Sequence, residues 1–246
     1  MHWSSSSHSH PGKRRLHNED AVLARPDAGL WLVADGLGGH RNGALASRLI
    51  VDTLAALELN NNHEQNQRRV RQALNQINRR LSTDLTRLAG QPTSPMGSTV
   101  VTLLIKARRA TCIWAGDSRC YLWRQNQLHL LTRDHSLAQR LINTGKLSAD
   151  SAAKHPSAHV LFRAVGAHEQ LRLDSTSFAI QPGDVLLLCS DGLYRELSPA
   201  QLIEGLRQPS STNRAALLVS SALRGTAADN ISAVVVTVMS EQPNGY

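Results

Sequence analysis

Aromatic residues make up only 4% of the 246 positions, and there are three cysteines, at 112, 120 and 189. So thin an aromatic content leaves Leu, Val, Ile and Ala to build the core within a hydrophobic total of 41%. The cysteines all fall in apolar runs, with no C-x-x-C pair and no histidine at ligand spacing, which excludes a disulfide framework and a zinc ribbon. They are expected to be reduced core residues. No apolar run approaches the roughly 18 residues of a membrane span. Met1 to Arg15 is polar where a secretory leader is apolar, so a soluble, cytoplasmic protein with no membrane partner is expected. Acid is the scarcer charge: 19 Asp and Glu against 27 Lys and Arg give a net +8, with basic stretches at 13–15, 68–80 and 107–109. That balance suits phosphorylated or polyanionic partners, or simply solvates one face. No aromatic-interleaved basic motif accompanies the arginines of 68–80, so nucleic acid is not an expected partner.

The scarce acids carry the chemistry. Leu30 to Ala34 runs into Asp35-Gly36-Leu37, and Val185 to Ser190 runs into Asp191-Gly192-Leu193. Each reads as a buried strand delivering one carboxylate to its exposed tip, because a charge cannot stay in the apolar run and glycine lets the backbone turn or approach closely. Asn18-Glu19-Asp20, Gly116-Asp117-Ser118-Arg119 and Asp229-Asn230 add three more acidic corners. Acids from five distant segments point to one oxygen-lined site for hard divalent cations, Mg²⁺ or Mn²⁺, which would also relieve their mutual repulsion. Arg15, four residues before Glu19, adds a guanidinium fork suited to a phosphate. Metal-activated water beside such a fork describes phosphoester hydrolysis. Corners spread from residue 19 to residue 229 favour one domain over 1–246.

Apolar spacing predicts helices over 43–59 and 68–88, joined by a polar link 60–67 and followed by a loop at 90–97. Short strands over 99–106, 110–115, 120–124 and 128–131 read as one antiparallel meander. Residues 136–155 read as peripheral helix, with Ser148 as an N-cap. Strands are expected over 171–180, 184–190 and 231–238, and helices over 198–207 and 212–223. The serine- and histidine-rich start reads as a flexible or edge segment, and His63, His129 and His168 as surface residues. Strands in runs and helices in pairs suggest antiparallel sheets packed together with helices outside.

Six stretches in order, Arg15-Leu16-His17-Asn18-Glu19-Asp20, Ala34 to His40, Met96-Gly97-Ser98-Thr99, Gly116 to Arg119, Ser190 to Leu193, and Asp229-Asn230, resemble the metal-dependent protein Ser/Thr phosphatases of the protein phosphatase 2C type. The resemblance runs from about residue 9 to 238. It implies an α+β, four-layer α-β-β-α sandwich of two central antiparallel sheets flanked by helices. It implies that Glu19, Asp35 and the Gly36 carbonyl hold one Mn²⁺ or Mg²⁺, and that Asp35, Asp191 and Asp229 hold a second. Asp117 with Asp191 matches a third, weaker position, Asp20 orients water or ligands, and Arg15 binds the substrate phosphate. Direct attack by a water or hydroxide bridging the metals, without a phosphoenzyme, is the implied reaction. Two departures stand out: His10 occupies a place where members often carry an acid, and Leu37 follows the Asp-Gly corner where eukaryotic members carry a proposed general-acid histidine. His40 lies further along and is not assigned that role. Residues 133–165 resemble the family's flap, where substrate choice resides. The compact form resembles bacterial members that oppose a Ser/Thr kinase, some accompanying type VI secretion clusters; a monomer acting on phosphoproteins is expected. The alternative is a catalytically silent phosphoprotein-binding module, against which stands the presence of every core acid and Arg15.

Overall fold

The computed structural model describes residues 2–38, 41–85, 96–148, 151–152, 155 and 157–240. Eleven strands are present among them: β1 (His2–His10), β2 (Asp20–Arg25), β3 (Leu30–Leu37), β4 (Gly97–Ser98), β5 (Val100–Lys106), β6 (Arg109–Ala115), β7 (Arg119–Arg124), β8 (Gln127–Leu130), β9 (Asp174–Ala179), β10 (Val185–Cys189) and β11 (Ile231–Met239). The helices are α1 (Arg41–Ala55), α2 (His63–Arg79), α3 (Leu137–Asn143), α4 (Asp191–Tyr194), α5 (Pro199–Arg207) and α6 (Arg214–Ala222), and α2 continues into a π-helical turn over Arg80–Leu85. One sheet has the order β1-β11-β10-β7-β8 and the other β2-β3-β5-β6-β9, with β4 paired to β3. All the pairings are antiparallel.

Three apolar clusters separate four layers. Leu30, Leu32 and Ala34 of β3 pack under α1 and α2, against Ile50, Leu54, Leu74 and Ile77. The alternate residues Trp31 and Val33 face the other way, into the gap between the sheets, with Leu103, Leu186, Leu188 and Val236. In the second sheet Val185, Leu187 and Cys189 of β10 turn outward to Leu202, Leu206 and Leu218 of α5 and α6. Central strands covered on both faces read as continuous apolar runs for this reason. The α-β-β-α sandwich implied by the resemblance is therefore present.

Local chemistry accounts for most element ends. Asn62 caps α2 by accepting from the Gln65 amide, and Ser198 and Gln201 form a capping box on α5 with Pro199 in the first turn. The helix expected over 68–88 thus starts five residues earlier, because His63 to Gln67 is polar on all sides and hides the periodicity while Asn62 supplies the start. Helix α1 ends at Ala55, before the expected Leu59. One expectation is corrected outright. The four-strand meander is split: β5 and β6 lie in one sheet and β7 and β8 in the other. The break falls at Gly116, whose φ of +115° only glycine adopts freely and whose Cβ position lies 2.6 Å from the Thr99 side chain. The strand β2 was not anticipated at all. The histidine- and serine-rich start is an edge strand, in register with β11 from His2–Met239 to His10–Ile231. Of the peripheral 136–155 segment, α3 and residues 151–152 are helical, and Ser148 accepts from the Ser151 amide at 3.2 Å as an N-cap does. The rest of that short helix, most of the loop 90–97, and His40 lie outside the described residues. All three cysteines are buried and free.

Candidate active site

The acids gather where the gap between the sheets opens at one end. Asp35 continues the Trp31–Val33 parity of β3 and so points along the inter-sheet face; Asp20 lies directly opposite it in the β2–β3 register. Asp117 sits at the crossover between the sheets. Asp191 opens α4 at the end of β10, and Asp229 precedes β11. The two Asp-Gly corners therefore differ: the first stays extended and the second starts a helix.

A cavity of about 270 Å³ is lined by Arg15, Glu19, Asp35, Gly36, Asp117, Asp191 and Asp229, together with Arg195, Asn230, and His159 and Leu161 of the segment 133–165. Asp20 lies behind this wall. Its Oδ2 accepts from Ser190 Oγ at 2.8 Å and Ser232 Oγ at 2.7 Å, while its buried Oδ1 has no partner. Burial, and then the neighbouring negative charges, push Asp35 well above the carboxylate range and Asp117 up to about 7. Asp191 is raised as well, first by burial. Asp20 is likewise raised to about 7, by burial against two hydroxyl hydrogen bonds that favour its charge.

Arginines supply the counter-charge. Arg15 Nη2 pairs with Asp229 Oδ2 at 3.0 Å, and Arg195 Nη2 pairs with Asp191 Oδ2 at 2.7 Å and lies 3.8 Å from Asp117. Among the described residues no three His, Cys, Asp or Glu close into a ready-made metal cage; the acids ring the cavity instead. The donor set is nonetheless all oxygen and carries more negative charge than two guanidinium groups balance, and behind it Asp20 keeps one buried carboxylate oxygen without a partner. Those properties fit hard divalent cations and not zinc.

Three structural residues were missed in the sequence. Asn230 ties the Arg15 loop in place: its side chain donates to Pro11 O and His17 O and accepts from the Glu19 amide at 2.8 Å. Gly43 lets α1 approach, because a Cβ there would lie 2.0 Å from Glu19 Oε2 and 2.9 Å from the Gly36 carbonyl carbon. Arg195 was legible in principle as the i+4 partner of Asp191 on a short helix. His63, expected at the surface, is partly buried and bonds Thr111 Oγ1 at 2.8 Å, whereas His129 and His168 are exposed as expected.

Residues 6–224 of the chain match the family model for Protein phosphatase 2C. The chain belongs to the protein phosphatase 2C family. Among protein phosphatase 2C relatives, the serine/threonine phosphatase stp of Listeria welshimeri is 32% identical over 237 residues, 92% of each chain. The serine/threonine protein phosphatase PstP of Mycobacterium tuberculosis is 32% identical over 95% of this chain, and the chain spans only 45% of PstP's length. A solved catalytic domain of PstP, in complex with two manganese ions, superposes with a TM-score of 0.85 at 30% identity, covering 97% of this chain and 99% of that one. PppA of Pseudomonas aeruginosa, described as a key regulatory component of T6SS, is 40% identical with a TM-score of 0.88, over 96% and 98% of the two chains. The resemblance read from six short motifs is thereby borne out, as is the two-sheet fold. Among the described residues, no helix is long and apolar enough to cross a membrane.

Proposed function

We propose that this protein phosphatase 2C member hydrolyses phosphoserine and phosphothreonine in proteins with the help of Mn²⁺ or Mg²⁺. The observation that carries the reading is the convergence of Arg15, Glu19, Asp35, Gly36, Asp117, Asp191 and Asp229, from five separate segments, on one cavity. In this reading Glu19, Asp35 and the Gly36 carbonyl hold one cation, Asp35, Asp191 and Asp229 a second, and Asp117 with Asp191 a third. The bound cations supply an activated water and offset the phosphate's charge. The chain's own residues do the positioning. Arg15, whose side chain is 54% exposed at the cavity rim, offers its fork to two phosphate oxygens. Asn230 fixes the loop that carries Arg15 and Glu19. Asp20, bonded to the hydroxyls of Ser190 just after β10 and Ser232 within β11, holds the acids' supporting wall. His159 and Leu161 close one side and limit solvent.

The finer reading places the protein in the cytoplasm as a monomeric single domain over 1–246, opposing a cognate Ser/Thr kinase. PppA's description makes a type VI secretion system the leading setting. The decisive experiment measures phosphate release from p-nitrophenyl phosphate and a phosphothreonine peptide with Mn²⁺, for wild type, Asp35→Ala and Asp191→Ala. Both substitutions are expected to lower kcat by about a thousandfold or more. Activity retained in both, or metal binding without turnover on any phosphopeptide, would overturn the assignment.

A further inference from the structure

A cavity of about 630 Å³ outside the acidic basin carries the opposite charge: Arg140, Arg163, His168 and Arg172 line it beside Phe162 and Leu171, and no carboxylate is in its wall. Arg163 is held by Asp174 at 2.8 Å and sits 5.7 Å from the Phe162 ring. Arg140, on α3, and Arg172, just before β9, are exposed and form no ion pair among the described residues. Of the three guanidinium groups, only that of Arg163 has a counter-carboxylate among the described residues. The cleft and the acidic basin have a common wall. Leu161 lines the basin and Phe162 lines the cleft, and consecutive Cα atoms are only about 3.8 Å apart. A substrate chain that leaves the basin past Leu161 meets Phe162 and the cleft beside it.

We propose that this cleft binds carboxylate side chains of the substrate, so that the enzyme favours phosphoserine and phosphothreonine lying a few residues from an acidic stretch. The inference rests on the phosphatase reading above and adds the substrate class. A chain with a net +8 has basic surface elsewhere; the cleft is distinguished by concavity, an acid-free lining and a shared wall with the reaction site. Guanidinium forks recognise carboxylates bidentately, and a concave cationic wall concentrates an acidic ligand more than a flat one does.

The test compares initial rates of the full chain with Mn²⁺ on p-nitrophenyl phosphate, on a phosphothreonine peptide with neutral flanks, and on the same peptide with three acidic residues on either side. Wild type is expected to show a KM about fivefold or more lower for one acidic peptide. That advantage should vanish in Arg140→Glu/Arg172→Glu and at about 0.5 M NaCl, with kcat and p-nitrophenyl phosphate hydrolysis unchanged. Equal KM values for acidic and neutral peptides, or an advantage that survives the double substitution, overturn the cleft while leaving the phosphatase reading intact. Oligonucleotide binding abolished by the double substitution, with peptides indifferent to it, also overturns the proposal, in favour of nucleic acid. Failure of wild type on p-nitrophenyl phosphate as well as on the peptides refutes the phosphatase reading itself.

Discussion

His63 shows how a residue's position in an element changes its chemistry. It occupies the first position of α2, partly buried, with its Nε2 on the Thr111 hydroxyl. Burial, and then the charge of Arg109, lower its pKa below the ordinary 6.5, and a positive charge at a helix N-terminus is disfavoured for the same electrostatic reason. The unfolded chain therefore binds a proton near pH 6.5 that the folded chain refuses. Stability from this residue is complete above that pH and is lost as the pH falls through it. His63→Gln keeps a polar tip and removes the titration. Wild type is expected to lose more stability than this variant between about pH 7.5 and 5.5, read from urea midpoints; parallel profiles would contradict the argument. The other histidines cancel in the comparison. The acids of the site were legible one by one because a charge abutting an apolar run has few places to go. His63 and Asn230 were not, since their roles exist only through residues 48 and 211 positions away.

At the scale of elements, the approach of α1 to β3 decides whether Glu19 can reach the cavity. Gly43 and Gly36 face each other: a Cβ on Gly36 would lie 2.3 Å from Gly43 O, and one on Gly43 would lie 2.0 Å from Glu19 Oε2. Gly43→Ala sets two effects in opposition. In an exposed helix the substitution gains about 1 kcal/mol of propensity, but here the new methyl displaces the Glu19 carboxylate and presses on the β3 backbone. The second effect wins, because backbone on the far side cannot yield as a side chain does. Gly43→Ala is expected to weaken Mn²⁺ binding by about tenfold or more and to lower activity at limiting metal. Calorimetry with wild-type affinity would show that the helix moves freely. Strands buried on both faces and helices with clear apolar spacing were readable, including β3, β10, β11, α5 and α6. The failures have physical causes: β2 is only half-buried after Asp20 and shows neither a continuous apolar run nor a clean alternation, the polar first turns of α2 carry no periodicity, and the crossing between sheets at Gly116 resembles any turn in a meander.

For the whole molecule, the cavity sits across the division between the sheets. Glu19 and Asp35 belong to the sheet of β2 and β3, whereas Asp191 and Asp229 are carried at the ends of β10 and β11 in the other. Without cations, burial and mutual repulsion hold Asp35 and Asp191 above their ordinary range, so the ionised site works against the fold at neutral pH. Cations that bind the folded chain and not the unfolded one reverse this, by about 2.7 kcal/mol for one site at a hundredfold excess over Kd. For a domain of this size that corresponds to a rise of roughly 5–10 °C in Tm. Because the acids proposed as ligands come from both sheets, the rise should appear as one transition moving as a unit. Calorimetry of the chain in EDTA and then with Mn²⁺ tests both points at once. Asp35→Asn should melt higher than wild type in EDTA, since a repelled charge is gone, yet gain almost nothing from Mn²⁺. Two separate transitions would divide the chain into independent units, and an Mn²⁺ shift undiminished in Asp35→Asn would place the cations somewhere other than between the sheets.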